Sequence, residues 1–382
     1  MNRNILINAI SARNGGGVTY IKNILPFFIK HKANHKITVL LLEDNSELES
    51  LHELKGINKI AIKMSSDNLI QRMIFELIRL PIIMQKNNFD ILFSPGGTSL
   101  TMKSKFFKSI TMFRNVWPHY HSNSIVKTIK NIIYEPLIFI KLKLLKVIII
   151  LNCRNLDKTI YISNHGYNLI NKGKKSKNKS IVIKHAINNI FFENQNLETN
   201  FNLISKKYIF YVSSFLPYKN HEILLRAYSN ARHEFLDCPL VLVGKISAQV
   251  KSELQITISN LGIKNDVYIL EEVAPKVLAG LYQNSFFNLF LSSCENCPNT
   301  MLEAMASNRP LLSSKQDPMP EFGKDFVTYC NPEDILDTTK SLVYMKNNIN
   351  MLEQMAKHAK KSIEDKKNSE ATAIKTLNFI IS

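Results

Sequence analysis

The stretch FFNLFLSSCENCPNTMLEAMASNRPLLSS, residues 286–314, decides the architecture. An apolar and aromatic run (286–292) ends in serine, and a polar loop carrying Cys294, Glu295 and Cys297 follows. The segment NTMLEAMA then has a helical pattern, with Pro298 or Asn299 near its first position, where both residue types suit a helix start. A second short apolar run, PLLSS (310–314), comes next. Strand, loop, helix and strand in so short a span is the repeating unit of a parallel α/β sheet.

The same alternation runs outward in both directions. Strand-like runs before the boundary are 4–10, 36–42, 59–64, 90–95, 109–113, 158–163 and 181–187. Those after it are 207–214, 239–244, 266–271, 286–292, 310–314 and 327–330. Between them lie helical patterns, such as the apolar stripe Ile223, Leu224, Ala227 and Tyr228. At 382 residues the chain is long for one core. The polar segment 191–202 separates the two sets of strands, so the expected domains are 1–195 and 196–382, with a last helix (about 368–382) able to cross back to the first. The lysine-rich segment 171–180 is expected to be a solvated loop. Two such units, each opening with a strand that runs into a special loop, are expected to face each other across a ligand cleft at the carboxyl ends of their strands.

Hydrophobic content of 45% with 21% charged residues belongs to a globular chain and excludes a disordered one. The net charge of +18 is one-sided: residues 1–200 hold 29 Lys and Arg against 12 Asp and Glu, and residues 201–382 hold 20 against 19. A basic first half suggests an anionic partner, set against the plainer explanation of a solubilising lysine surface. Five cysteines suggest no disulfide framework and fit a reducing cytoplasm. The amino-terminal apolar run is too short for a signal peptide. The segment 132–151 is the closest to a membrane span, but Glu135, Lys141, Lys143 and Lys146 interrupt it. It is expected to pack on the domain's own sheet, with an interfacial helix as the alternative.

Glu295 in the loop and Glu303 just past the first helical turn place two carboxylates at the carboxyl end of one strand. Two carboxylates suit a ligand rich in hydroxyl pairs, because each accepts two hydrogen bonds from neighbouring OH groups. The free amides and dipole at the helix start suit the phosphates of a nucleotide. A sugar nucleotide has both features. The C-x-x-C formed by Cys294 and Cys297 admits a thiol or zinc reading, but a structural zinc needs about four ligands, and Cys153, Cys238 and Cys330 form no second close pair.

These residues also carry a resemblance. SSCENCPNTMLEAMASNRPLLSS resembles the signature of the retaining glycosyltransferases of group one (family four), whose fold is called GT-B. The similarity runs over most of 205–335, through YIFYVSSFLPYKNHEILLRAY (208–228), LVLVG (240–244) and PEFGKDFVTYCNPED (320–334), and more weakly to SARNGGGVTYI (11–21) and YISNHGYNLI (161–170). The resemblance implies an α/β protein of two Rossmann-like domains, the second binding a nucleotide-sugar donor and the first an acceptor. It assigns Glu295 to the donor sugar, Glu303 to the ribose hydroxyls and Lys219 to the diphosphate. Asn299 and Thr300 would supply backbone donors, and Gly16 and Gly17 would let the first loop approach the diphosphate. Ser214 stands where many members have an arginine. Asn296 and Glu271 replace common glycines. His119, in FRNVWPHYH (113–121), is the favoured polar group of the first domain, with His165 and His185 ranked below it.

The resemblance further implies transfer with retention, without metal or other cofactor, to a glycan or lipid-diphosphate-linked acceptor in cell-surface polysaccharide assembly such as lipopolysaccharide, O-antigen or capsule. The cytoplasm, with peripheral contact to an anionic inner-membrane surface, would be the location. No Asp-x-Asp occurs, so the metal–diphosphate clamp of the other major glycosyltransferase fold has no support. The rivals are a nucleotide-sugar epimerase or phosphorylase on the same fold, a protein that has kept the fold but lost catalysis, and a basic nucleic-acid-binding protein. The last is disfavoured because the excess charge is mostly lysine and the aromatics sit in the apolar strands.

Overall fold

The structure, a computed structural model, describes residues 2–12, 16–45, 48, 51, 54–64, 69–96, 100, 101, 103–120, 136–195 and 207–382. The chain divides into two compact units, one taking in 1–119, 137–186 and 368–382, the other 120–136 and 187–367.

In the first unit the elements are β1 (Asn4–Asn8), α1 (Gly16–His31), β2 (Lys36–Leu42), β3 (Asn58–Ile62), α2 (Leu69–Ile74), a π-helical turn (Phe75–Arg79), α3 (Leu80–Lys86), β4 (Ile91–Ser94), β5 (Lys108–Phe113), α4 (Pro136–Asn155), β6 (Lys158–Tyr161), α5 (Asn164–Asn171) and β7 (Lys179–Val182). The strands form one sheet in the order β3-β2-β1-β4-β5-β6-β7, and every pair is parallel. Ile37 to Leu42 of β2 are buried without a break, the signature of a strand covered on both faces. Strand β7 begins at Lys179, two residues earlier than the apolar run implies, and takes in a lysine and a serine expected to lie in a loop. An edge strand tolerates them, since one side of it meets water.

The second unit contains β8 (Ile209–Val212), α6 (His221–Asn230), β9 (Leu240–Val243), α7 (Ala248–Asn260), β10 (Val267–Leu270), α8 (Pro275–Asn284), β11 (Phe287–Phe290), α9 (Asn299–Ala306), β12 (Leu311–Ser314), α10 (Met319–Gly323), β13 (Thr328–Cys330), α11 (Ile335–Asn347) and α12 (Ile349–Ser362). Its parallel sheet has the order β10-β9-β8-β11-β12-β13. The order reverses between β8 and β11. The loops leaving these two strands therefore diverge to opposite faces and open a crevice at their carboxyl ends.

The last helix, α13 (Ser369–Ile381), belongs to the first unit. It packs on α1, where the Tyr20 and Thr376 hydroxyls approach to 3.4 Å. Lys158, at the start of β6, donates to the Phe379 and Ile380 carbonyls at 2.7 and 3.3 Å. Its ammonium satisfies carbonyls left over at the end of α13. Burial pushes the Lys158 amine down to about 8, with Lys179, Lys108 and Arg3 adding to the effect.

Candidate active site

The site is built on the adjacent strands β8 and β11. After β8 the chain makes a turn of 3-10 helix, Pro217–Lys219, and Asn220 then takes a left-handed conformation (φ 58°) to enter α6. Asparagine tolerates that conformation better than most residues. Its side chain joins the two loops, the amide donating to the Leu291 carbonyl and the Ser293 hydroxyl, both at 2.7 Å. The Ser293 amide donates to the Tyr218 carbonyl at 2.8 Å, and the Tyr211 hydroxyl donates to the Lys219 carbonyl at 2.8 Å. The backbone on both sides of Lys219 is thereby tied to the end of β11.

Lys219 is buried, and its ammonium forms an ion pair with Glu295. Nζ also lies 5.5 Å from the Phe290 ring centre and 5.3 Å from that of Tyr218, the distance of a cation–π contact. Gly244, at the end of β9, has φ 153°, and a Cβ there would come within 2.0 Å of the Ser213 carbonyl oxygen. A glycine is therefore required for the β8 loop to pass β9.

Helix α9 starts at Asn299 after Pro298, with no side-chain cap, and its first intrahelical bond runs from Leu302 N to the Pro298 carbonyl at 3.1 Å. The amides of Thr300 and Met301 precede that bond and point out of the helix start. Glu303, one turn further on, is partly buried, and among the described residues no hydrogen bond or ion pair reaches its carboxyl. Burial pushes that carboxyl up to about 7. Neighbouring Tyr282 donates to the Thr300 carbonyl at 3.3 Å. Burial and the Glu303 charge push the Tyr282 hydroxyl well above its ordinary value.

The structure thus brings Lys219 and Glu295 into contact and sets Asn299, Thr300 and Glu303 along α9 in the same unit. Ser214 is exposed just past β8. Asn296 is buried, and Glu271 pairs with Lys251 at 3.0 Å. Gly16, Gly17 and His119 belong to the other unit. Gly16 and Gly17 start α1 instead of lying in the preceding loop, and a Cβ on Gly17 would meet nothing closer than Ala12 at 3.6 Å. A small side chain at 17 would therefore meet no protein atom closely; Arg13, Asn14 and Gly15 lie outside the described residues. His119 ends a short 3-10 turn, Trp117–His119, with its ring edge-on to Phe113 at 5.8 Å. His121 lies outside the described residues. His165 is in the first turn of α5, and His185 lies 2.9 Å from the Arg114 guanidinium. Cys294 is a buried thiol, and burial and the Glu295 charge push it far up, which favours its neutral form. Among the described residues no three His, Cys, Asp or Glu side chains are grouped to hold a metal ion.

Sequence reasoning missed Asn220, Tyr211 and Gly244. Asn220 was visible as a helix-start residue beside Lys219, but its partners lie 71 and 73 positions away.

Residues 194–362 match the family of glycosyl transferases group 1. A glycosyltransferase from Rickettsia africae ESF-5 superposes with a TM-score of 0.72 over 99% of this chain and 98% of its own, at 17% identity. HepE of Anabaena, solved in complex with UDP and glucose, gives 0.73 over 99% of each chain at 14% identity. The match to that family falls in the second unit, and the chain has the GT-B fold. In sequence, an uncharacterized glycosyltransferase of Methanocaldococcus jannaschii is 26% identical over 153 residues, 37% of this chain and 35% of that protein. This chain therefore aligns with about a third of that relative's length.

Proposed function

We propose that the protein is a glycosyltransferase that takes its sugar from a nucleotide donor. The observation that carries this reading is the Lys219–Glu295 ion pair at the sheet's reversal point, beside a helix start that bears the unpaired Glu303. Without ligand, Lys219 and Glu295 neutralise each other. An arriving diphosphate competes for the ammonium, which frees Glu295 to accept hydrogen bonds from the sugar. The Thr300 and Met301 amides add donors at the dipole's positive end. A held ammonium and fixed amides suit the charge that grows on a departing nucleotide diphosphate. Glu303 has unused acceptor capacity for a ribose diol, and HepE's complex with UDP-glucose supports a donor of that class.

The finer expectations belong to the same proposal. Transfer proceeds with retention and without metal, and His119 serves as a polar group on the acceptor side. The acceptor is a glycan or a lipid-diphosphate-linked glycan in cell-surface polysaccharide assembly at the cytoplasmic face of a membrane. WaaG, a glycosyltransferase involved in lipopolysaccharide biosynthesis, shares the fold with a TM-score of 0.72 at 11% identity. No described helix is long and apolar enough to cross a membrane.

Thermal melting with UDP-, GDP-, ADP- and CMP-sugars, on the parent chain and on Glu303→Ala, tests the donor site. Ligand at 100 times its Kd stabilises by about 2.7 kcal/mol. A shift for one nucleotide class that the variant loses supports the reading. A folded protein that shifts with none of them sinks it. Conversion of the donor sugar in the absence of any acceptor would favour the epimerase instead.

A further inference from the structure

Gln283, near the end of α8, and the turn Ser307–Arg309, which links α9 to β12, lie at the amino ends of β11 and β12. Glu295 follows the carboxyl end of β11, and that strand's four residues span about 13 Å. At the amino end the second unit holds a recess of about 420 Å³, separate from the donor site.

Long-range bonds build the walls of the recess. The Gln283 side chain donates to the Glu193 carbonyl at 2.6 Å and accepts from Gln195 N at 2.9 Å. Lys360 of α12 donates to the Phe192 carbonyl at 3.2 Å, so the backbone of 192–195 is tied to two helices. Arg309 donates through Nε to the Gln283 carbonyl at 2.6 Å, which anchors its guanidinium there. Its Nη1 is 3.9 Å from Glu353, the far limit of an ion pair, and among the described residues no other ion pair reaches it. Glu353, Lys357 and Lys360 stand at i, i+4 and i+7 on one face of α12.

All ten residues that line the recess are polar or charged: five carboxamides, three cations, one carboxylate and a serine. Ligand pockets are ordinarily lined by apolar side chains, so an apolar ligand finds nothing to match here. Three cations against one carboxylate favour an anion. Each carboxamide offers both a donor and an acceptor, the pair that a hydroxyl group uses. The volume is that of a small-molecule site.

We propose that this recess is a second ligand site, for a small polyhydroxylated anion: a phosphorylated sugar or a sugar acid. Arg309 and Lys357 meet the acid group, and the terminal nitrogens of Arg309 supply the paired donors that suit a phosphate or carboxylate. Asn284 and Asn308, both exposed, take the hydroxyls. The inference is independent of the transferase reading, because the recess shares no residue with the donor site.

The test is isothermal titration calorimetry of the full chain with mannose 6-phosphate and with glucuronate, beside glucose and inorganic phosphate. Saturable binding of one of the first two with a Kd of about 1 mM or tighter is expected, and the tighter of them identifies the acid group. Lys357 is exposed, so Lys357→Glu should fold, and it should weaken that binding by about tenfold or more. Lys219→Met should leave it unchanged. Binding that is lost in Lys219→Met, or that Lys357→Glu does not alter, places the ligand elsewhere and overturns the site. No binding of either probe at about 10 mM overturns it as well. Inorganic phosphate that binds as tightly as mannose 6-phosphate, without glucuronate binding, indicates an adventitious ion only. Glucose that binds as tightly as either probe removes the anion from the proposal, and both outcomes overturn it. The nucleotide melting shift should be unchanged in Lys357→Glu, so failure of this site and failure of the transferase reading are seen in separate measurements.

Discussion

Two carboxylates eight positions apart receive opposite treatment. Glu295 is held against an ammonium, whereas among the described residues no hydrogen bond or ion pair reaches the Glu303 carboxyl. Burial therefore raises the Glu303 carboxyl to about 7. A raised carboxyl favours its protonated form in the folded state. The fold suffers no penalty from it below the unfolded value of about 4.3, and the penalty grows as pH rises, reaching full size above 7. Glu303→Gln should therefore leave stability unchanged at pH 4 and raise it at pH 8, by less than about 4 kcal/mol and by less still with solvent at its partly open edge. Melting curves of both proteins at the two pH values check this; a variant that gains nothing at pH 8 contradicts it. For Lys219→Met, the loss of the ammonium should lower the rate of sugar transfer by about 100-fold or more, comparable to the loss of one fixed oxyanion donor. A rate within threefold of the parent, in a steady-state assay with the donor that the melting screen identifies, would remove Lys219 from the chemistry.

At the level of elements, the site depends on how the loops after β8 and β11 are joined. Asn220 contributes both a left-handed backbone and a two-pronged amide. Asn220→Gly keeps the backbone preference and loses the two bonds; Asn220→Ala loses both. The expected order of stability in urea is parent, Gly, Ala, with the alanine variant lower by about 2–4 kcal/mol. If the glycine variant equals the parent, the side-chain bridge contributes nothing. Gly244→Ala puts a methyl group into the Ser213 carbonyl, and loss of soluble protein or at least about 3 kcal/mol is expected.

Across the whole molecule, the chain ends in the unit in which it begins, because α13 returns to pack on α1. Leu377, Phe379 and Ile380 are buried there, and side chains of this kind stabilise by about 1.5–3 kcal/mol each when fully buried. Deleting 369–382 therefore removes an amount comparable with the whole stability of a typical domain. The truncated chain is expected to lose cooperative melting of the first unit, followed by hydrogen exchange at α1. Unchanged exchange at α1 would show that the helix is dispensable.

The alternation of apolar runs and helical patterns determined the parallel α/β class, because strands buried on both faces must be apolar throughout and helices on both faces must be amphipathic. All thirteen apolar runs appear as strands, displaced at most by a few residues at their ends. Glu295, Glu303 and Lys219 were legible as candidates, since the spacing from a strand end is local information. The sequence could not determine that Lys219 and Glu295 touch, that Asn220 bridges to Leu291 and Ser293, or that Gly16 and Gly17 begin a helix. Each of these depends on which strands are neighbours. Strand order is set by the total packing of the sheet and not by any one segment, so only the tertiary structure decides it.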